Sequence, residues 1–266
     1  MSVTVGGVTY GCDNDLERLC AGVQAAGKYL SMQVRLGNAL PSEYVIEGTP
    51  FDVAEVGSLN PDNSANNLTP YRAGLSASRT NPTLVVIPPA PLPYALANGT
   101  VDIAANAYVC GYGAKVRRTG ILQYAHIFTG NNAGIFGLDM IGHEDTRTKW
   151  PERFTDTTDV EPAKNGSISN GNGGGVTNDA WIVASSRSRI IVADCYAIGS
   201  LTGFARVWGG ASQQLYTDNT LHDMHSDTIH LTYNTVNTTD RRNTIVNAGD
   251  DCISVVSYEK SSGSGP

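Results

Sequence analysis

Apolar residues in the second half of this chain recur on two periods at once. Within short segments they alternate with polar residues, as on a half-buried β-strand. Between segments the pattern returns every 24 residues. Asp179-Ala180-Trp181-Ile182-Val183, Gly203-Phe204-Ala205-Arg206-Val207, Asp227-Thr228-Ile229-His230-Leu231 and Asp251-Cys252-Ile253-Ser254-Val255 each begin 24 residues after the last, with apolar third and fifth positions. A second series, Cys195-Tyr196-Ala197-Ile198, Asn219-Thr220-Leu221-His222 and Asn243-Thr244-Ile245-Val246, keeps the same interval. Each unit therefore predicts at least two short strands joined by Gly-, Asp- and Ser-rich corners. A unit this small cannot bury its apolar face alone and must stack on its neighbours. A leucine-rich repeat would need a dense Leu/Asn consensus, which is absent. The expected fold is all-β, a parallel β-helix with coils of 24 residues. Trp181, Ala205, Ile229 and Ile253 should form one inward ladder, and Asn219 should stack on Asn243 at a corner.

The first half is less regular. Asp13 or Asn14 opens a helical pattern in which Leu16, Leu19, Cys20 and Val23 share a face and Gly27 ends it. This short N-terminal helix, within a segment spanning residues 1–50, suits the cap that a solenoid's first coil requires. Residues 51–82, rich in Asn, Ser and Pro, read as a polar loop or arm. The β-helix then runs over 83–266: Leu84-Val85-Val86-Ile87 ends at two prolines, and short strands follow around Val101, Tyr108, Val116, Ile121 and His126. Residues 142–178 break the period as an insertion loop. Its mixture of charges and aromatics, Trp150 among them, suits the wall of a sugar-binding groove.

Composition narrows the function. Of 266 residues 16% are charged, Gly numbers 29 and the net charge is −7. Disorder is disfavoured, and no basic face exists for nucleic acid. No apolar run is long enough for a membrane helix, and the N-terminus lacks the pattern of a signal peptide. Five cysteines without CxxC spacing suit neither a disulfide framework nor a zinc site, and a single bridge such as Cys12–Cys20 stays open. His222, His225 and His230 match no standard zinc spacing.

The chemistry concentrates where Asp227 and Asp251 share a register, with Asp250 beside them. Coils stack about 4.8 Å apart, so these carboxylates start close together, and mutual repulsion should raise at least one pKa. A proton donor beside ionised carboxylates is what glycoside hydrolysis needs. Arg206 and His230 should lie outward on the same flank and hold an acidic sugar or a leaving group. Calcium would suit such an acidic cluster, but no cofactor is required. Corner-capping by the aspartates is the structural alternative.

Two motifs, His225-Ser226-Asp227 and Gly249-Asp250-Asp251-Cys252-Ile253, resemble polygalacturonase-type glycoside hydrolases of the pectin lyase-like superfamily. Those enzymes carry Asn-Thr-Asp, then Gly-Asp-Asp-Cys-Ile one coil later. The strand ending in proline and the corner Gly111-Tyr112-Gly113-Ala114 are also similar to phage and bacterial proteins of that superfamily. The resemblance implies a right-handed β-helix with Asp250 as general acid and with Asp227 and Asp251 activating water for inversion. His225, His230, Arg206 and Trp150 would bind an acidic polysaccharide. It further implies an extracellular or virion-associated setting. A family Gly-His-Gly and a basic strand would follow beyond Pro266, so the chain reads as a fragment completed by a C-terminal segment or a homotrimer. Two alternatives stay open: a phage tailspike or tail-fibre module that binds glycan without cleavage, and a polysaccharide lyase or epimerase.

Overall fold

The structure, a computed structural model, describes residues 2–5, 8–11, 29–32, 46–50, 52–62, 65–97, 99–119, 125–142, 180–200, 203–224 and 226–256. Three parallel sheets wrap one core. Sheet I stacks Asp52–Glu55, Thr83–Val86, Ala107–Cys110, Ala133–Phe136, Ser188–Ala193, Ser212–Thr217 and Val236–Arg241. Sheet II stacks Tyr94–Leu96, Lys115–Arg118, Asp139–Ile141, Tyr196–Ser200, Thr220–Met224 and Thr244–Ala248. Sheet III stacks Val101–Ile103, His126–Phe128, Ile182–Ser185, Ala205–Trp208, Ile229–Thr232 and Ile253–Val256. The chain visits I, II and III in turn and then begins the next coil, which makes a parallel β-solenoid. Two antiparallel pairs, Ser2–Val5 with Val8–Gly11 and Tyr29–Met32 with Ile46–Pro50, precede it. Among the described residues, no helix is long and apolar enough to cross a membrane.

Register turns the sequence periodicity into columns. Val101, His126, Ile182, Ala205, Ile229 and Ile253 pair in succession along the inner side of sheet III. The expected ladder is thus shifted at its first rung: Ile182, not Trp181, stands above Ala205. Only 23 residues separate those two, against 24 for Ala205 to Ile229. Trp181 remains fully buried, with the Arg118 guanidinium 5.4 Å from its ring centre. The outer side of sheet I is covered as well, since Leu84, Tyr108, Ile191 and Leu215 are all buried. That explains near-continuous apolar runs such as Ile190-Ile191-Val192-Ala193.

From the coil that begins at Ala107 onward, the corner from sheet I to sheet II turns through one left-handed residue in each coil: Gly113, Gly137, Asp194, Asp218 and Arg242. Glycine takes that conformation without strain; the later coils use Asp and Arg, and Arg242 holds Asp218 through two hydrogen bonds of 2.6 and 2.7 Å. The next column reads Ala114, Leu138, Cys195, Asn219 and Asn243. The asparagines stack here. Asn219 Oδ1 accepts the Cys195 N–H at 3.0 Å, and its Nδ2 donates to Val192 O at 3.1 Å and to Asn243 Oδ1 at 2.9 Å. Burial pushes the Cys195 thiol up to about 12, so it behaves as an inert core residue. Cys110 is likewise buried, whereas Cys252 is exposed. Cys12 and Cys20 lie outside the described residues.

The segment expected as a polar arm is structured. It holds the first strand of sheet I and a helix, α1, at Leu68–Ser76. Leu68, Tyr71 and Leu75, spaced 3 and 4 apart, enter the core. Tyr71 reaches the inner column of sheet III: its hydroxyl donates to His126 Nε2 at 2.9 Å, while His126 Nδ1 donates to Trp181 O at 3.2 Å. The helix expected over 13–27 lies outside the described residues. So do residues 143–179, which include most of the expected insertion.

Two predictions follow from these buried polar groups. Burial, reinforced by Arg118, lowers the His126 pKa from 6.5 to about 4 despite the Trp181 carbonyl. A depressed histidine favours folding fully above the unfolded value, and its contribution is lost as pH falls from 6.5 towards about 4. Urea midpoints should fall across that window by the equivalent of roughly 3 kcal/mol; a His126→Gln variant should lose that part of the pH slope. Separately, Asn219→Ala strips partners from buried backbone groups and should cost about 2–3 kcal/mol in equilibrium unfolding.

Candidate active site

The corner from sheet II to sheet III gathers the candidate residues. In successive coils it carries the insertion, then Gly203, then Ser226-Asp227-Thr228, then Gly249-Asp250-Asp251-Cys252. Backbone bonds stitch these levels together: Phe204 N–H to Thr228 O at 2.8 Å, Thr228 N–H to Asp251 O at 2.9 Å and Ile229 N–H to Cys252 O at 3.2 Å. Gly203 has φ +114°, and a Cβ there would lie 2.0 Å from Asp227 O. Only glycine lets the coil above approach the aspartate so closely.

Asp227 faces outward although Ile229 and Leu231 face in, because the corner breaks the alternation just before the strand. Its Oδ2 lies 2.5 Å from His230 Nδ1 and 3.8 Å from an Arg206 guanidinium nitrogen. Its Oδ1 accepts the Asp251 N–H at 3.4 Å. Arg206, His230 and Ser254 occupy one outward column of sheet III. A second Arg206 nitrogen donates to Ser226 Oγ at 3.2 Å. Ser226 is buried and completes the network; sequence reading passed over it, although its place beside Asp227 was the available signal. Thr228, two residues before the outward His230, is fully buried, and its hydroxyl has no hydrogen-bond partner.

Asp250 and Asp251 are exposed, and one carboxylate oxygen from each of Asp227, Asp250 and Asp251 falls within 4.8 Å of the others. Burial raises the Asp227 pKa, but the His230 hydrogen bond and charge, Arg206 and the Asp251 N–H together outweigh it. The net shift is downward, so Asp227 is not the carboxyl whose pKa crowding raises. Asp227 is therefore a fixed carboxylate at neutral pH. Three convergent oxygens of this kind have the hard-donor chemistry of a calcium site, but Asp227 Oδ2 already faces the Arg206 guanidinium and the His230 ring nitrogen. The histidines do not form one site: His222 lies against the Tyr196 ring at 5.6 Å on sheet II, whereas His230 is on sheet III. His225 and Trp150 lie outside the described residues.

No protein-family model matches the chain, and a search of curated proteins finds no match. Among solved structures, the chain is similar to a "putative glycosyl hydrolase" from Parabacteroides merdae. The TM-score is 0.41 and the identity 10%, over 77% of this chain and 98% of that one.

The charge network yields a direct test. Replacing Arg206 with alanine removes one group that holds Asp227 ionised, while burial of the carboxyl persists. The Asp227 pKa should move up in a carboxyl-carbon NMR titration, and His230→Ala should move it up further. Because a depressed carboxylate stabilises the fold above its unfolded pKa and loses that contribution as pH falls through the folded value, both variants should narrow the acid-side stability loss.

Proposed function

We propose that this chain is a glycoside hydrolase acting on a polysaccharide, with the aspartate cluster as its catalytic centre. The observation that carries this reading is the convergence of three carboxylates on a solenoid flank, one locked in the ionised state and two exposed. A water hydrogen-bonded to two oxygens at about 2.8 Å each can reach both when they stand no more than roughly 5.6 Å apart, and the cluster's oxygens all fall within 4.8 Å of one another. Asp227, held as a carboxylate by His230 and Arg206, suits the base that orients and deprotonates such a water. It cannot also be the proton donor. That task falls to Asp250, in line with the family resemblance, and Asp251 completes the grip on the water. In this assignment the attack inverts the anomeric centre. The polymer would be encountered outside a cell or at a host surface by a virion.

The test is incubation of the protein with a polysaccharide panel. New reducing ends without an ultraviolet-absorbing unsaturated product support hydrolysis; an unsaturated product means a lyase. Asp250→Asn should cut turnover by at least about 10² while leaving glycan affinity and melting temperature near wild type. Asn is nearly isosteric and still hydrogen-bonds. Unchanged turnover with a lowered melting temperature would make Asp250 a corner cap, and binding without any cleavage would leave the glycan-binding module as the better account.

A further inference from the structure

Sheet III carries an outward aromatic residue at the end of the strand that holds Arg206. In Ala205–Trp208, Ala205 and Val207 are fully buried in the core, while Arg206 and Trp208 lie on the outer side and are partly exposed. Trp208 follows Arg206 by two residues, about 6.6 Å along the same face. One coil on, Tyr233 directly follows Ile229–Thr232, is 37% exposed, and accepts the Gly210 N–H through its carbonyl at 2.9 Å. The acids mark the opposite ends of these strands: Asp227 precedes Ile229, and Asp250 and Asp251 precede Ile253. A glycan lying along the strand direction would meet carboxylates at one end and the indole of Trp208 at the other.

Charge indicates which glycan fits. Among the described residues of this strip, Asp227, Asp250 and Asp251 oppose the single guanidinium of Arg206. Arg206 and His230 are both turned onto Asp227. An anionic polymer would meet net repulsion there. A stacking contact between an indole face and the apolar C–H face of a sugar needs no charge at all.

We propose that Trp208 is the stacking platform for an uncharged sugar unit, so that the site takes a neutral glycan. This rests on the reading of the strip as a glycan site, and it departs from the acidic substrate that the family resemblance implies. Calorimetric titration at low ionic strength tests it with cellohexaose, xylohexaose, maltohexaose and hexagalacturonate as probes. Wild-type protein should bind at least one neutral hexaose more tightly than hexagalacturonate. Trp208→Ala should weaken that binding about tenfold, whereas Trp208→Phe, which keeps a ring, should retain most of it. Binding should also change tryptophan emission in the wild type and not in Trp208→Phe. Melting curves of both variants check the fold. Wild-type affinity in Trp208→Ala, preference for hexagalacturonate, or no binding to any neutral hexaose overturns the proposal. Trp208-dependent binding with no cleavage leaves the platform standing and removes the hydrolase.

Discussion

Everything in this molecule depends on the hydrogen-bonded register between successive coils. Each strand satisfies its backbone only through the strands above and below it, so every coil must offer equivalent residues at the same three places. Surplus residues can leave only at corners, which is where the stretch between Gly142 and Ala180 departs. Direction must also change at the same point in each coil, and a single left-handed residue from Gly113 to Arg242 does this at the first corner. A column therefore becomes one chemical environment repeated along the axis. Polar side chains survive inside it only when the column completes their bonds, as Asn243 does for Asn219.

The same register assembles the candidate site. Residues one coil apart in the fold stand 24 apart in sequence, so Asp227 and Asp251 are brought together without any long-range loop. Stacking like charges at the spacing of neighbouring strands is unfavourable in itself. The adjacent outward column offsets it on one side, because Arg206 and His230 project next to Asp227. Crowding and counter-charge then act on different members of the cluster. The innermost carboxyl is fixed as an anion, while the two outer ones remain open to solvent.

The repeat was readable from sequence because alternation and interval agreed over four segments. The first rung failed for a physical reason. A gapless comparison assumes equal corners, and the stretch between Ile182 and Ala205 is one residue short, which promoted Trp181 into a place that Ile182 holds. Helix α1 was hidden by its surroundings: Asn and Ser precede it, and Pro70 sits in its first turn, where proline is tolerated. The 3-4 spacing of Leu68, Tyr71 and Leu75 was the signal available. At the site, the acids stood out through register and through Gly249-Asp250-Asp251-Cys252. What strand alternation could not supply was the outward turn of Asp227, because a corner obeys no two-residue period. Nor could it show that Arg206 and His230 both turn onto that aspartate.

The two sides of the site are not equally supported. Asp227 belongs to a coil whose strands pair on both edges, under Gly203 and above Asp251. Asp250 and Asp251 belong to the last described coil, whose strands Val236–Arg241, Thr244–Ala248 and Ile253–Val256 have, among the described residues, a partner on one edge. That coil exposes 78% of Val255 and 44% of Ile253, although both continue inward columns. Local opening costs least where few apolar contacts and few shared hydrogen bonds hold a segment. The Asp227 carboxylate is thus fixed by His230, Arg206 and the Asp251 N–H, whereas Asp250 and Asp251 present theirs to solvent.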